Sequence, residues 1–243
     1  MARTLPFLLF FLCAFACNAQ FNDSTYYRLN YTSTGSLNKT NDSRAYLLNN
    51  ALRFGIRKKD ISLNSINAWV YGKQNDQLTN NDFSSTLDFN LYKSMPHFFY
   101  WGLASYNTSR SLKINNQLLA GAGIAYSIYD RDDAYLNISD GLLFDSSDLL
   151  LEGDIRDVYQ TTRNSLRVSF RFEIWQRVVF NGSNFYQVSL RDGGDYILKS
   201  DLALSLKLNR WLSFTTAYKY NRLSRTNREN SLLSYGLTFE RYF

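Results

Sequence analysis

Residues 165–174 read SLRVSFRFEI, and this stretch decides the fold class. Its apolar residues are Leu166, Val168, Phe170, Phe172 and Ile174, and they alternate with Ser165, Arg167, Ser169, Arg171 and Glu173. A period of two puts each set on its own face of a β-strand. One face is entirely apolar and the other is polar or charged, so the stretch predicts a sheet with an apolar surface on one side and water on the other.

The same alternation recurs from Tyr27 to the end of the chain and predicts about twelve strands. The chain contains 18 Tyr and 18 Phe, yet its mean hydropathy is −0.33, because the apolar residues alternate with polar ones. This dispersed pattern is typical of a transmembrane barrel, and an even strand number brings both chain ends to the same side. We therefore expect an all-β fold, a transmembrane antiparallel up-and-down β-barrel of about 12 strands.

The lengths of the predicted connections alternate as well. Short connections are predicted around residues 58–60, 95–97, 130–132, 176–177 and 209–210. Longer ones are predicted at 35–43, 73–81, 108–115, 145–161 and 223–229, and only 192–195 breaks the rule by being short. Short periplasmic turns and longer outer loops are typical of outer-membrane barrels.

The two ends of the chain predict export and membrane assembly. Residues 1–19 resemble a signal peptide, with Arg3 before a short apolar run and cleavage before Gln20, which leaves 20–243 as the barrel domain. Acylation of Cys17 is the alternative, although the residues before Cys17 fit a lipoprotein signal poorly. The last strand ends on Phe243, which we expect to be an assembly signal for the barrel-assembly machinery. An ordinary amphipathic edge strand is the alternative reading.

Charged residues fall on the predicted polar faces, which point into the lumen of a barrel. They are Arg53, Asp88, Arg167, Arg171, Glu173, Lys199, Asp201, Lys219 and Glu240, and Arg57 and Lys207 share these faces. Facing lipid would cost about 2–4 kcal/mol for Arg or Lys at mid-membrane. The lumen is therefore either a narrow charged pore or a plug of paired side chains, and twelve strands are compatible with both.

Few residues suggest chemistry. His97 is the only histidine and lies in a predicted turn, so no catalytic residues and no metal or cofactor site are expected. The acidic residues between Asp140 and Asp157 match no calcium loop by their spacing, and we expect a solvated acidic loop there. The one short basic run, Arg57-Lys58-Lys59, gives no support to nucleic-acid binding.

Several motifs resemble the family of salt-induced outer-membrane proteins, which are uncharacterised barrels of Gram-negative bacteria. The matching stretches are 121–126 (GAGIAY), 139–148 (SDGLLFDSSD) and 163–171 (RNSLRVSFR), with the aromatic finish at Phe243. The resemblance implies location in the cell outer membrane, with membrane lipid as a partner. It offers no catalytic residues.

The sequence thus predicts a non-enzymatic outer-membrane barrel, either a narrow pore for an unknown solute or a structural component of the envelope. A barrel enzyme such as a lipid hydrolase is one alternative, and it would need His97 near a serine at membrane level. A secreted soluble β-sandwich that binds a ligand is another, and it would leave the alternating connection lengths unexplained.

Overall fold

The computed structural model describes residues 26–95, 97–131 and 133–243. The predicted signal peptide (1–19) and the alternative acylation of Cys17 lie outside the described residues. The strands are β1 (Tyr27–Lys39), β2 (Arg44–Lys58), β3 (Ile61–Gln74), β4 (Gln77–Met95), β5 (Phe98–Ser109), β6 (Ile114–Asp130), β7 (Ala134–Leu150), β8 (Arg156–Ile174), β9 (Val178–Ser189), β10 (Tyr196–Lys207), β11 (Leu212–Leu223) and β12 (Arg228–Tyr242). Among the described residues, no helix is long and apolar enough to cross a bilayer.

The strands form one closed antiparallel barrel. Each strand pairs with its neighbour in sequence, and β1 pairs with β12, where Arg28 lies opposite Tyr242 and Gly35 opposite Tyr235. This confirms the predicted fold class and strand number. We call the end of the barrel at Tyr27 and Phe243 the terminal end, and the end at Ser109 and Leu150 the distal end.

Alternate side chains point to opposite sides of the barrel wall. On the outside, the ring of Phe170 packs against those of Phe172 and Phe180 at centroid distances of 5.8 and 5.0 Å. In β5, where aromatics occupy both faces, Phe98 is exposed while Phe99 and Trp101 are buried inside the barrel. The outer surface therefore carries a broad apolar band, as lipid requires.

Exposed and half-buried aromatic rings lie at both edges of this band. Near the terminal end, Tyr27 stacks on Phe54 and Trp211 on Phe239, at centroid distances of 6.3 and 5.8 Å. Near the distal end, the rings of Trp69 and Tyr71 are 5.5 Å apart and those of Tyr186 and Tyr196 are 6.2 Å apart. Two aromatic girdles of this kind mark the interfaces of a transmembrane barrel.

The predicted lengths of the distal connections are wrong. The supposed loop 145–161 is strand on both sides of a short connection at 151–155, and the supposed loop 73–81 is a two-residue turn at 75–76. The connection predicted at 192–195 as the short exception spans residues 190–195 and is the longest distal one. Beyond the membrane both faces of a strand meet water, so the apolar alternation ends although backbone pairing continues, as at Asn38 opposite Ala45.

Two glycines bring β6 and β7 into close approach. Gly123 lies opposite Gly141, and a Cβ on Gly123 would come within 2.2 Å of the Asp140 carbonyl oxygen and 2.7 Å of the Trp101 ring. A larger residue at either position would push the two strands apart. The glycines thus let Trp101 pack flat against the inner wall.

Candidate functional site: the barrel lumen

Three cavities occupy the lumen in series. The terminal cavity has a volume of about 490 Å³, the middle cavity about 130 Å³ and the distal cavity about 180 Å³. The terminal and middle cavities share Arg28, Tyr135 and Arg171 in their linings, and the middle and distal cavities share Asp201 and Lys219. A lined path therefore runs from the terminal end through most of the barrel, with two constrictions made of charged and aromatic side chains.

The predicted charged residues line this path. Arg53 and Glu240 line the middle cavity, Lys199 the distal cavity, and Asp88, Arg167 and Arg171 the terminal cavity. Glu240 pairs with Arg28 on the neighbouring strand β1, and Asp201 pairs with Lys219, 3.1 Å from Nζ to Oδ1. Glu173 accepts from Lys207 Nζ at 2.6 Å and lies 3.5 Å from Arg171 Nη2.

One ion pair crosses the lumen. Arg167 Nη1 on β8 donates to Asp88 Oδ2 on β4 at 2.7 Å, and these strands are four places apart around the barrel. Asp88 also accepts from Asn90 Nδ2 at 2.7 Å, and Arg167 Nε donates to Ser183 at 3.2 Å. This bridge subdivides the lumen without filling it, because the terminal cavity lies beside it.

The connection between β5 and β6, residues 110–113, folds into the distal end of the lumen. Leu112 packs with Ile114, Leu149, Ile197 and Leu223 in a buried apolar cluster, which we call the distal plug. Leu149 is completely buried and Leu223 is 2% exposed. The plug joins strands from different sides of the barrel and lies across its distal end, where Leu112 and Ile114 line the distal cavity.

Hydrogen bonds from the barrel wall hold this connection in place. Asp82 on β4 accepts from Ser109 Oγ at 2.9 Å, from the Ser111 backbone N–H at 3.1 Å and from Ser111 Oγ at 2.7 Å. From β12, Asn230 Nδ2 donates to Ser111 Oγ at 2.9 Å. A four-residue segment is therefore tied to two separate parts of the wall by polar contacts.

A buried charge network lies beside the plug. Arg163 Nε donates to Asp145 Oδ2 at 2.6 Å, and Arg163 Nη2 donates to Asp195 Oδ1 at 2.9 Å. Arg225 from the connection after β11 reaches Asp195 at 3.2 Å and lies 3.8 Å above the Tyr159 ring. The network binds together the ends of β7, β8, β10 and β11.

The acidic residues of the predicted loop do not converge. Asp145 is inside the barrel, and Asp148 pairs outside with Arg156 at 2.8 Å. Lys113 Nζ donates to Asp154 at 2.6 Å, and this hydrogen bond holds the pKa of the Asp154 carboxyl below its ordinary value. Asp157 Oδ2 accepts from Arg225 at 2.6 Å. Within the described parts of the chain, no three acidic, histidine or cysteine side chains are placed to hold a metal ion.

Asp140 takes an unexpected position. Its exposed carboxylate accepts from Asn164 Nδ2 at 2.9 Å on the outer face of the barrel, between the exposed side chains of Ile138 and Leu142. These two neighbours belong to the apolar band, so the carboxylate lies within it. The alternation of β7 puts Asp140 on this face, whereas the sequence predicted a solvated acidic loop there.

His97 lies in the turn at the terminal end, and its ring is 5.9 Å from that of Tyr126. No hydrogen bond joins the His97 side chain to a serine or a carboxylate among the described residues. The lipid-hydrolase alternative needs such a contact.

The sequence reasoning missed Arg163, Arg28 and Asp145 as lumen residues. Arg163 follows the same face of β8 as Arg167 and Arg171 at intervals of four residues, which was a usable signal. The strand predicted from the sequence begins at Ser165, after the predicted loop 145–161, so Arg163 falls outside it.

The comparisons with known proteins agree with this architecture. Residues 22–240 match a family model described as "Protein of unknown function, DUF481". No curated protein sequence is significantly similar to the chain.

Solved structures are similar to this chain at low identity. The NanC porin is 11% identical with a TM-score of 0.52, over 88% of this chain and 98% of that one. An outer membrane channel from Pseudomonas putida F1 is 9% identical with a TM-score of 0.49, over 94% of this chain and 97% of that one. A closed barrel with an apolar outer band and aromatic girdles is a protein of the bacterial outer membrane.

Proposed function

We propose that this chain, which belongs to the DUF481 family of proteins of unknown function, is a narrow solute channel of the outer membrane that rests in a closed state. The observation that carries the proposal is the series of three cavities, which share lining residues from the terminal end to the underside of the β5–β6 connection. The path is blocked by the distal plug and not by the barrel wall.

The nature of the block favours a channel over a filled structural barrel. The plug depends on Leu112, which belongs to a four-residue connection held by Asp82 and Asn230 through hydrogen bonds. Hydrogen bonds of this kind contribute only about 0.5–1.5 kcal/mol each, or about 1.5–3 kcal/mol to a charged group. The connection can therefore leave the lumen without unfolding the barrel.

The orientation and the processing belong to the same proposal. The terminal end faces the periplasm, because β1 begins there and β12 ends there. Residues 1–19 are removed as a signal peptide, and the mature protein begins at Gln20. Cys17 is removed with this peptide and is not acylated. Mass spectrometry of the mature N-terminus tests this, and a lipidated Cys17 contradicts it.

Membrane assembly depends on Phe243 in this proposal, through the barrel-assembly machinery. Its backbone N–H donates to Tyr27 at 2.9 Å, at the seam where the barrel closes. Deleting Phe243 should reduce the amount of heat-modifiable barrel in the outer membrane. A normal amount in the deletion variant would remove the residue from the assembly signal.

We do not assign an enzymatic activity. The NanC porin shares this fold, and the ring of His97 contacts an aromatic residue. A His97→Ala variant should leave any lipid hydrolysis by the purified protein unchanged from background.

Conductance in a planar bilayer tests the channel. Purified protein should give small, infrequent conductance steps, and Leu112→Ser should make them more frequent because it removes apolar contact from the plug. Leu37→Ser, at an exposed site outside the barrel, is the control. Absence of steps from both the native protein and Leu112→Ser would favour a purely structural role in the envelope.

A further inference from the structure

We propose that the terminal cavity is a binding site for acidic saccharides, meaning sugars that carry a carboxylate or a phosphate. This inference rests on the proposed function, since it names the class of solute, but binding in the cavity requires no passage through the barrel. The cavity is open at the terminal end, where Arg57, Asp130 and Arg131 on its lining are exposed. Its volume of about 490 Å³ lies within the range of small-molecule sites.

Positive charge dominates this cavity. Five arginines line it, Arg28, Arg57, Arg131, Arg167 and Arg171, against two acids, Asp88 and Asp130. Arg28 is paired with Glu240 and Arg167 with Asp88, so the excess comes from the other three arginines. Arginine presents a planar fork of donors that matches carboxylate and phosphate oxygens. The excess of cations in a confined space attracts anions and repels cations.

The arginines keep donors available. Among the described residues, the Arg57 and Arg131 side chains form no ion pair or hydrogen bond, and they lie over the rings of Tyr92 and Tyr129 at 5.3 and 4.9 Å. Arg171 has a single long contact, 3.5 Å from Nη2 to Glu173, which leaves its other nitrogens unengaged. These three residues can bind an anion without breaking an existing short contact.

The acids cannot cancel this excess. Asp88 is 6% exposed and already accepts from Arg167 and Asn90. Asp130 is at the exposed rim beside Arg131. The interior of the cavity thus presents cationic donors to a solute, because the Asp88 carboxylate is already paired with Arg167 across the lumen.

The remaining lining suits the uncharged part of a sugar. Asn64, Asn137 and Ser169 offer amide and hydroxyl groups, which can donate to and accept from sugar hydroxyls. Tyr135, half-buried at the passage into the middle cavity, offers a ring face against which an apolar sugar face can pack. An inorganic anion would bind the arginines but would make no contact with these amide, hydroxyl and aromatic groups.

Calorimetric titration of the detergent-solubilised barrel at low ionic strength tests the site. The probes are D-glucuronate, glucose 6-phosphate and uncharged glucose. At least one acidic sugar should bind at least about tenfold more tightly than glucose, and added salt should weaken that binding. The two acidic probes separate a carboxylate site from a phosphate site. Equal affinity for glucose and both acidic sugars would overturn the proposal.

Matched variants locate the binding. Arg57→Gln and Arg171→Gln should each reduce the affinity about tenfold, because each removes a charged donor. Arg222→Gln, which removes one charge from the outer face near the distal end, should leave it unchanged. If Arg171→Gln fails to form a heat-modifiable barrel, Arg131→Gln at the rim replaces it. Unchanged affinity in the folded cavity variants would overturn the site, whereas binding without conductance would support the site and contradict the channel.

Discussion

Arg163 on β8 and Asp145 on β7 form an ion pair in which neither side chain has any solvent exposure. The guanidinium also donates to the Asp195 carboxylate at 2.9 Å, to the Asp195 carbonyl at 3.0 Å and to the Tyr159 hydroxyl at 3.0 Å. Burying a charge is costly unless it is paired and hydrogen-bonded, and here the pairing is nearly complete. The Arg163 guanidinium therefore links β7, β8 and the connection before β10 at the distal end of the barrel.

Replacing Arg163 with Met should destabilise the barrel by about 3–5 kcal/mol, because it leaves Asp145 buried without its cation. Reversible urea unfolding in detergent or lipid measures this loss. The double variant Arg163→Met/Asp145→Leu should recover a large part of it, since both charges are then absent. Arg222→Met is the matched control at a half-exposed site on the outer face. An Arg163→Met variant no less stable than this control would contradict the assignment.

Asp82→Asn should increase the open probability in planar bilayers by about tenfold. The substitution keeps the size of the side chain but replaces a charged acceptor by a neutral one. Asp82 accepts three hydrogen bonds from residues 109–111 and one from Asn80, so the hold on residues 109–111 is weakened. Asn115→Asp, which adds a charge near Asp148 at the distal end, provides a control for altered surface charge. Equal open probability in Asp82→Asn and the native protein would mean that the plug is not held by Asp82.

Phe170→Arg should impair membrane insertion by about 2–4 kcal/mol if Phe170 lies at mid-membrane, whereas Arg171→Ser should insert normally. A slip of one residue in β8 would place Arg167, Arg171 and Glu173 in hydrocarbon. Single cysteines at 170 and 171 test the facing, with a lipid-confined and a water-soluble reagent. The assigned facing would be wrong if the cysteine at 171 reacted with the lipid-confined reagent and the cysteine at 170 reacted only with the water-soluble one.

Asp140→Leu should stabilise the barrel by about 1 kcal/mol, because a carboxylate in the apolar band costs free energy, though less than the 2–4 kcal/mol of Arg or Lys. The comparison is with Asp148→Leu, which should not stabilise, since Asp148 is paired with Arg156 at the distal end. Thermal unfolding of the two variants in lipid gives the difference. A destabilised Asp140→Leu would show that the Asp140–Asn164 hydrogen bond outweighs desolvation.

The sequence predicted the barrel well where lipid constrains it. Between Leu166 and Ile174, any outward residue meets hydrocarbon and any inward charge meets water, so the alternation is strict. The strand number and the facing of the C-terminal strand could be read in the same way.

The same reasoning failed where lipid no longer acts. Asp145 and Arg163 lie near the distal end, where polar residues on both faces resemble a loop, and their burial depends on a pairing between strands. The inward fold of Leu112 likewise depends on partners as distant in sequence as Leu223. Neither contact leaves a periodic signal in the chain.

The seam between β1 and β12 also orders the folding of the protein. Among the strands that the structure describes, it is the one pairing between strands distant in sequence, with Arg28 opposite Tyr242. Every other seam is a hairpin of low contact order, whose closure entropy is small. The hairpins can form in any order, but the barrel cannot close before its last strand is available. An incomplete chain therefore remains an open sheet with two unpaired edges, and such a sheet is prone to aggregation.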